Sequence, residues 1–595
     1  MRTPHIRSLA IALAVTTAVT ISAGGGATAF AAPAAQGATA PAASTGFQPV
    51  IDAARTAAVA HASATGVGKD DTLQATDVLV DPDGKQHVRF VRSHRGLPVL
   101  GGDLVVHLDK RSAYTGVTRA LRTQVAVPTT SAKVTAAQAQ AKAATAAKGT
   151  AGAARLVVDA RAGHTALAYQ IQVSASATAE SGARTVVVDA ASGAVLSNTP
   201  TGDSFISPTV QEKLRKSGQK VSPALGTAAA APFASARASG FPAAANGTGS
   251  SLFVGNVPLT TTQTAKSAFT LKDPSRGQTE TRDAGNRQLQ QFSAGKAFTS
   301  TNNLWGNGRA SNRTTAAVDA QYGITSTLDF YKKTLGRNGI KNDGAGAHAL
   351  VHFGNGVGNA FWDSDCGCML YGDGDGQTFA QPLVVLDVTG HELTHGVVDA
   401  TANLQPTRVD ADDNQFGEPG SLNESLADIF GSNVEFATNN PNNPPNYLMG
   451  EKLGLQQKFL RRLDKPSLDK LEGTVDYWSQ ASYDTEVHAG SGVSSHAYYL
   501  LAEGSGKKTI NGVAYDSPTY DGSTVSGIGR DKATAIFYRA LTRYMVSTTD
   551  FHDARTATLS AAADLYGASS TEYKTVDKAW AAVNVTAANT PAARG

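Results

Sequence analysis

The segment His391-Glu392-Leu393-Thr394-His395 constrains the fold more than any other stretch of this chain. Residues four positions apart share one face of an α-helix, so the two imidazoles converge on one ion only if the segment is helical. The mainly apolar run at 384–388 predicts that this helix is buried, where unpaired imidazoles would be costly. Glu392 stands beside the first histidine and suits a general base rather than a ligand. We therefore expect a buried helix that presents a histidine pair to a metal ion.

A second helix downstream offers the third ligand. The apolar residues of 422–430 recur with helical periodicity and place Glu424 and Asp428 on one face. One carboxylate could bind the metal while the other orients an imidazole. Alone, such a pair is more often the polar face of an ordinary helix, but the upstream histidine pair favours a ligand. Two histidines, one glutamate and an open position are typical of a catalytic zinc site rather than a structural one.

Charge, hydropathy and cysteine content exclude several classes of protein. The chain has 595 residues and a formal net charge of +3, which excludes a strongly basic nucleic-acid-binding protein. After the extreme N-terminus no apolar run reaches the ~18 residues of a membrane span, so we expect no stable membrane association. The two cysteines, Cys366 and Cys368, are too few for a cysteine-rich zinc module. For them we favour a local disulfide or two free thiols over a metal-binding pair.

Composition divides the chain into successive segments. Residues 1–31 combine a basic start, a short apolar stretch and alanine-x-alanine sites, as a secretory signal does, and an uncleaved anchor is the alternative. The segments that we expect are a signal peptide at 1–31, a disordered leader at 32–45, an α+β region at 46–200, a linker open to proteolysis at 201–245, a strand-rich region at 246–400 that ends in the histidine helix, a helical region at 401–585 and a tail at 586–595. Strands followed by helices predict an α+β fold of two lobes with a cleft between them.

The order of several motifs carries a resemblance over about 246–585. The motifs are Asn359–Trp362, Tyr371–Gln377, His391–His395, Asn423–Gly431, Phe459–Arg461, Val487-His488, Ile536–Leu541 and Asp564–Gly567. In this order they resemble the thermolysin-like neutral metalloendopeptidases of the M4 family, and residues 46–200 resemble that family's propeptide, most clearly at 96–104. The resemblance implies a β-rich N-terminal lobe, a mostly helical C-terminal lobe with zinc in the cleft, an α+β propeptide before them and a maturation site in the linker.

The resemblance also implies roles for individual residues. The metal and catalytic positions are His391, His395 and Glu424 as zinc ligands, Glu392 as the catalytic carboxylate and His488 as the histidine that hydrogen-bonds the oxyanion. The orienting acids are Asp428 for His391 and Asp484 for His488. The substrate-binding positions are Asn359, Ala360 and Arg461 for the peptide backbone, and Phe379, Val388, Met449 and Leu460 for an apolar pocket.

These roles together imply a secreted zinc endopeptidase that is made as a zymogen. The apolar pocket implies cleavage on the N-terminal side of bulky hydrophobic residues, because burying such a side chain is worth about 1.5–3 kcal/mol. The implied partners are protein or peptide substrates and the chain's own propeptide, as inhibitor and folding aid. The resemblance implies a monomer and no nucleic acid.

Three features depart from the family pattern, and one of them is the loop at Cys366–Cys368, which adds residues near the substrate-binding strand. Gln415 or Phe416 stands where the family has an oxyanion-binding tyrosine, after an insertion at 406–414. Asparagine and leucine stand at positions 446 and 448, where further acids would complete a double calcium site.

The remaining acids of that calcium site are Asp387, Glu435 and Glu451, and carboxylates suit a hard cation such as calcium. We therefore expect one calcium ion rather than two. Plain surface acids are the alternative.

Two other functions stay open at this point. One is a non-catalytic relative that binds peptides, and the other is a different zinc hydrolase, such as an esterase or an exopeptidase. The intact Glu392 favours the endopeptidase over the binding protein, because a binding module would be free to lose it.

Overall fold

The computed structural model describes residues 45–161, 165–175, 182–218 and 240–589. The expected signal peptide at 1–31 and leader at 32–44 lie outside the described residues, as do the last residues of the tail, 590–595. Among the described helices, none has the length and apolar character needed to cross a membrane.

The region 45–200 is built around an extended sheet. Its helices are α1 (Gln48–Ala60), α2 (Ala62–Thr65) and α3 (Ala136–Ala147). Its strands are β1 (Asp71–Val80), β2 (Gln86–His94), β3 (Leu97–Leu100), β4 (Leu104–Leu108), β5 (Tyr114–Arg119), β6 (Gly149–Asp159), β7 (Ala166–Ala175), β8 (Arg184–Asp189) and β9 (Val195–Pro200). The strand order is β5-β4-β2-β3-β6-β7-β8-β9, with β1 paired to β2. One apolar cluster lies under α1 and another under α3, so this region has its own cores.

The first part of the expected linker is ordered. Gly202–Ser204 form β10, which pairs antiparallel with a strand of the next region. Pro208–Ser217 form α4, which begins at Ser207, whose hydroxyl accepts a hydrogen bond from Val210 N, and ends at Gly218 with φ 64°. Val210 and Leu214 of α4 are buried. The prediction of an open linker is therefore wrong for 201–218, because its backbone completes a sheet edge and its few apolar side chains enter a core.

Two sheets and one long helix form the next region. Its strands are β11 (Ala243–Ser250), β12 (Asn256–Ala265), β13 (Ala268–Thr270), β14 (Lys272–Asp273), β15 (Thr279–Arg287), β16 (Lys296–Ala297), β17 (Thr299–Ser300), β18 (Leu304–Gly306), β19 (His348–Phe353), β20 (Ala360–Asp363) and β21 (Cys368–Tyr371). The helix is α5 (Arg313–Leu335). The first sheet has the order β10-β20-β21-β19-β15-β14, with β16 on β15, and the second has the order β17-β13-β12-β11-β18. Strand β10 thus lies on the edge strand β20.

Residues after Leu386 are mostly helical. The helices are α6 (Leu386–Asp399), α7 (Glu418–Thr438), α8 (Val487–Gly490), α9 (Gly492–Ala502), α10 (Arg530–Arg539), α11 (Phe551–Tyr566) and α12 (Thr571–Ala581), and a π-helical turn at Ala540–Tyr544 continues α10. Short hairpins join them: β22 (Arg408–Val409) with β23 (Gln415–Phe416), β24 (Leu448–Met449) with β25 (Arg461–Arg462), and β26 (Gly506–Ile510) with β27 (Val513–Ser517). This sequence of strands and helices confirms the predicted α+β fold.

The cysteine pair forms a local staple. Cys366 and Cys368 are joined in a disulfide, with their Cα atoms 5.1 Å apart. The bond closes the turn between β20 and β21. The local disulfide, which the sequence left open beside two free thiols, is therefore confirmed.

Two glycines let α6 and α7 approach closely. A Cβ added at Gly390 of α6 would lie 3.0 Å from the Cα atom of Gly431 in α7. A Cβ added at Gly431 would lie 2.9 Å from the backbone oxygen of Asp387. Because the obstructing atoms belong to backbone, a larger residue at either position would force the helices apart.

We predict that Gly431→Ala lowers the free energy of unfolding by about 1–3 kcal/mol, the usual cost of an extra methyl group in a packed interface. Chemical denaturation of the purified full chain measures this change. Gly46→Ala is the matched control, because a Cβ at Gly46 meets no atom within 4 Å. Equal stability of the two variants would contradict the close-contact interpretation.

Candidate metal centre and catalytic cleft

Helices α6 and α7 bring three ligand side chains together. The Nε2 atoms of His391 and His395 lie 3.1 Å apart. The carboxylate of Glu424 faces both rings, with Oε2 3.4 Å from His391 Nε2 and Oε1 3.6 Å from His395 Nε2. All three side chains are buried, so the sequence-predicted ligand set forms one compact cluster.

The outer face of each imidazole is held by a hydrogen bond. His391 Nδ1 lies 2.8 Å from Asp428 Oδ1, and His395 Nδ1 lies 3.0 Å from the side-chain oxygen of Asn423. A ring that donates from Nδ1 presents its lone pair at Nε2 when neutral. Burial lowers the pKa of His395 to about 4, which keeps that ring neutral at ordinary pH. The sequence assigned no role to Asn423, although it directly precedes Glu424.

The cluster fits a zinc ion. Two imidazole lone pairs and one carboxylate converge on the same space, and Glu424 Oε2 lacks a hydrogen-bond partner among the described residues. A buried, unpartnered carboxylate oxygen is costly unless a cation faces it. This donor set with two orienting partners behind the histidines is typical of catalytic zinc.

Glu392, on the same helix as the two histidines, keeps one carboxylate oxygen unpaired. Its Oε2 accepts a hydrogen bond from Trp362 N at 2.7 Å, whereas Oε1 is without a partner in the part of the chain that the structure describes. Burial raises the pKa of Glu392 well above the usual range, and the nearby carboxylates of Glu424 and Asp203 raise it further. A fixed carboxylate with one free oxygen and a raised pKa can accept and return a proton.

His488 lies beside the cluster, with its Nε2 3.6 Å from Glu424 Oε2. Its Nδ1 lies 2.8 Å from Glu486 Oε1, and its Nε2 lies 2.8 Å from the backbone oxygen of Ser204. Burial lowers the pKa of His488, but the carboxylates of Glu424 and Glu486 outweigh burial and hold it well above the usual value. A protonated ring donates from both nitrogens, so Nε2 can donate to a carbonyl oxygen.

The expectation for Asp484 is wrong. Its side chain is 79% exposed and accepts a hydrogen bond from Arg408 at 3.1 Å. Glu486 holds the His488 ring instead, because it caps α8 and its carboxylate also accepts from the backbone nitrogens of His488 and Ala489. An acid directly before a short helix that begins at Val487 is the signal that could have identified Glu486.

The residues expected to bind the substrate backbone hold a segment of the same chain. Phe205 N donates to Ala360 O at 3.2 Å. The side chain of Asn359 binds both backbone groups of Ile206, the residue after Phe205. Its Oδ1 accepts from Ile206 N at 3.2 Å, and its Nδ2 donates to Ile206 O at 3.0 Å. The chain therefore lays part of residues 202–207 across the cleft in an extended form.

Arg461 joins this segment to the metal cluster. Its guanidinium donates to both oxygens of Asp428, at 2.8 and 2.9 Å, and its Nη1 donates to Phe205 O at 2.9 Å. Arg461 is almost fully buried, so this bidentate ion pair is shielded from water.

The side chain of Phe205 is buried in the same apolar cluster as the predicted pocket residues. The ring lies edge-on to His391, with centroids 5.2 Å apart, and the guanidinium of Arg461 lies 4.8 Å from its centroid. Buried residues of the same apolar cluster include Phe379, Val388, Met449 and Leu460. Gly450 adjoins the ring, since an added Cβ there would lie 3.2 Å from it.

Asp387, Glu435 and Glu451 form a second acidic cluster. Burial raises the pKa of Glu451 to about 8, and the neighbouring Asp387 contributes to that rise. Burial also raises the pKa of Asp387 and of Glu435, in the latter case with Glu451 and Asp387 as further causes. Glu435 Oε2 and Glu451 Oε2 lack hydrogen-bond partners among the described residues. Such a group of carboxylates fits a hard cation.

Gln415 and Phe416, the two alternatives expected at the family's tyrosine position, lie in the β22–β23 hairpin. The guanidinium of Arg408 lies 3.8 Å from the centre of the Phe416 ring. Gln415 pairs with Val409 across the hairpin. Neither residue carries a phenol, so His488 is the side chain that binds the carbonyl oxygen of Ser204 in this cleft.

Comparison with known proteins identifies three regions. The model of the thermolysin metallopeptidase catalytic domain matches residues 246–399, and the model of the thermolysin metallopeptidase alpha-helical domain matches 413–585. Together they cover more than half of the chain. The fungalysin/thermolysin propeptide motif matches residues 71–121.

Several characterised relatives are similar over shorter or longer stretches. The transglutaminase-activating metalloprotease of Streptomyces mobaraensis is 39% identical over 529 residues, which cover 87% of this chain and 62% of the relative. Bacillolysin of Bacillus cereus is 37% identical over 347 residues, 57% of this chain and 55% of the relative. Thermolysin of Alicyclobacillus acidocaldarius subsp. acidocaldarius is 40% identical over 277 residues, 45% of each chain. The chain thus spans less than two thirds of the length of these relatives.

Among solved structures, the precursor of protealysin, a metalloproteinase from Serratia proteamaculans, is 28% identical and covers 52% of this chain and 87% of its own, with a TM-score of 0.39. The two domain models and the propeptide motif agree with the family resemblance of the sequence. The chain belongs to the thermolysin family of metallopeptidases (M4) and carries that family's propeptide motif ahead of its catalytic and helical domains.

Proposed function

We propose that this chain is a zinc-dependent endopeptidase made as a zymogen. The observation that carries the proposal is the buried Glu392, whose Oε1 has no hydrogen-bond partner among the described residues and whose carboxylate interacts electrostatically with Glu424 of the ligand cluster and with His488. Zinc held by His391, His395 and Glu424 would supply a Lewis acid that polarises a peptide carbonyl and makes a water more acidic.

The side chains of the cleft provide the remaining functions. Glu392 takes a proton from the attacking water and delivers it to the departing amine. His488 donates from Nε2 to the oxygen on which negative charge develops. Asn359, Ala360 and Arg461 hold the peptide backbone in register, so that the scissile carbonyl faces both groups.

The apolar pocket sets the specificity in this proposal. The pocket beside His391 holds a phenylalanine ring in the structure. Cleavage would therefore occur before a bulky hydrophobic residue, since burial of its side chain is worth about 1.5–3 kcal/mol.

The propeptide acts as an inhibitor in this proposal. Residues 202–207 fill the backbone-binding positions, and the sheet of 45–200 docks on the helical domain through buried charges. Asp81 pairs with Arg543 at 2.9 Å and with Arg539, while Asp103 accepts from Ser547 N at 3.1 Å. These contacts join the two regions, and removal of one partner of the buried ion pair would cost about 3–5 kcal/mol because the other charge would stay buried and uncompensated.

The segments of the chain are then a signal peptide for export at 1–31, a propeptide from about 46 to the ordered segment near 204, and an enzyme that begins near 243. Export rests on the composition of residues 1–31. One calcium ion at Asp387, Glu435 and Glu451 would stabilise the enzyme outside the cell.

We expect Glu392→Gln to lower hydrolysis of casein at least about 10³-fold, because it removes the proton carrier while leaving the ligand set intact. Activity is measured after the upstream region has been removed, and zinc content by elemental analysis should stay near one ion per chain. Glu280→Gln, which replaces another buried glutamate near the start of strand β15, is the control and should keep activity. A Glu392→Gln protein that still digests casein would refute the mechanism and favour another zinc hydrolase or a binding role.

We expect Glu486→Gln to lower kcat about 10- to 100-fold with little change in KM, because a charged hydrogen bond is worth about 1.5–3 kcal/mol. Steady-state kinetics on a short peptide measure both constants. Asp484→Asn is the matched control and should behave as the parent, since that carboxylate is exposed. A larger loss from Asp484→Asn than from Glu486→Gln would restore the original assignment.

We expect calcium to raise the free energy of unfolding of the Glu392→Gln protein by about 2.7 kcal/mol at a concentration 100 times its Kd. Thermal unfolding with calcium, and with a calcium-selective chelator, measures this effect. Glu451→Gln should abolish the calcium response, whereas Asp319→Asn, at a buried acid elsewhere, should keep it. A full response in Glu451→Gln would place calcium at another site.

A further inference from the structure

We propose that the cleft cuts its own chain at the peptide bond between Ser204 and Phe205, and that Phe205–Ser217 then stays docked as a strap over half of the cleft. This inference rests on the proposed peptidase function. It goes further by naming the bond and by dividing maturation into two events.

The backbone register singles out this bond. Strand β10 runs antiparallel to the edge strand β20, with Ser204 opposite Phe361 and Gly202 opposite Asp363. Downstream of Ser204, four hydrogen bonds from Asn359, Ala360 and Arg461 fix the backbone of Phe205 and Ile206. The segment is therefore bound through its backbone on both sides of the peptide bond between Ser204 and Phe205.

The carbonyl of Ser204 occupies the reactive position. Its oxygen lies 2.8 Å from His488 Nε2, and the same nitrogen lies 3.6 Å from Glu424 Oε2 of the ligand cluster. The neighbouring carbonyl of Phe205 is instead bound by Arg461, and that of Ile206 by Asn359. Of these three carbonyls, the one before Phe205 faces the oxyanion donor.

The side chain of Phe205 satisfies the specificity of the pocket. It is fully buried beside His391 and Arg461, and it belongs to the core cluster of the catalytic and helical domains. A bulky hydrophobic residue thus lies directly after the carbonyl that meets His488, as the proposed cleavage rule requires.

The step is a balanced hydrolysis. A water oxygen forms a bond to the carbonyl carbon of Ser204, and the bond from that carbon to Phe205 N breaks with its electron pair going to nitrogen. Glu392 carries one proton from the water to that nitrogen. The products are a carboxylate at Ser204 and an amine at Phe205.

The new N-terminal segment is held by contacts of its own. Ser207 N donates to Glu472 at 3.2 Å, Thr209 Oγ1 donates to Asn414 Oδ1 at 2.8 Å, and Lys213 Nζ donates to Leu471 O at 2.7 Å. Val210 and Leu214 are buried in the core of the catalytic and helical domains. None of these contacts involves the sheet of 45–200, so cleavage at Ser204 leaves them intact.

The experiment follows the fragments of the full chain over time. Mass spectrometry of termini should find a fragment that ends at Ser204 and a partner that starts at Phe205 before other termini form, at a first-order rate independent of protein concentration. The Glu392→Gln chain should stay intact. A first cut at another bond in the parent would overturn the inference.

Variants at Phe205 test the register. Phe205→Leu should keep the cut at the same bond, whereas Phe205→Asp should slow it at least tenfold because a carboxylate would enter the apolar pocket. Phe241→Asp is the matched control, since Phe241 is 48% exposed and should not affect the cut. Far-ultraviolet circular dichroism shows whether Phe205→Asp folds. An unchanged rate in folded Phe205→Asp would overturn the inference.

The strap is tested in the fragment that starts at Phe205. Leu214→Asp should release α4 and lower the KM for an added short peptide at least tenfold, while an unchanged KM would overturn the strap. Failure of the peptidase function gives a different result. In that case casein would be hydrolysed neither by the parent chain nor by a protein whose upstream region has been removed with trypsin. Activity on casein with a first cut elsewhere refutes only the Ser204–Phe205 assignment.

Discussion

The close packing of α6 against α7 is the contact on which the rest of the site depends. Two ligands stand on one helix and the third on the other, so the distance between the helix axes sets the size of the cluster. Gly390 and Gly431 permit backbone contact that any side chain would prevent. The histidine motif specifies two ligands, but Gly390 directly before it and Gly431, about two turns after Glu424, let the helices approach so that the third ligand comes within reach.

Buried charge is the second organising constraint. Carboxylates lie in the interior at the ligand cluster and at the Asp387 cluster, and burial of an uncompensated charge is costly. Around the ligand cluster, Asp428 is neutralised by Arg461 and Glu486 by His488. At both clusters some carboxylate oxygens stay unpaired among the described residues, so a cation bound at either one would stabilise the folded chain.

The sequence predicts the metal ligands and the acid that orients His391, but it does not predict every residue that surrounds them. His391, His395, Glu424 and Asp428 follow from helical spacing, because covalent geometry alone puts residues four apart on one face. Glu486 could not be preferred to Asp484 in this way, since the choice depends on where a short helix begins. Residues 201–218 have the composition of a linker. They are nevertheless ordered, because β10 pairs with the edge of β20 and the side chains of Phe205, Ile206, Val210 and Leu214 are buried.

Arg461 contacts both the metal-ligand cluster and the peptide segment in the cleft. Its guanidinium donates hydrogen bonds to the carboxylate of Asp428, which orients His391, and to the backbone oxygen of Phe205, whose side chain lies in the apolar pocket. Free energies of binding to linked sites are reciprocal. If the proposed zinc and peptide both bind, a peptide that aligns Arg461 and Asp428 would also strengthen zinc binding, and loss of that peptide would weaken it by the same free energy.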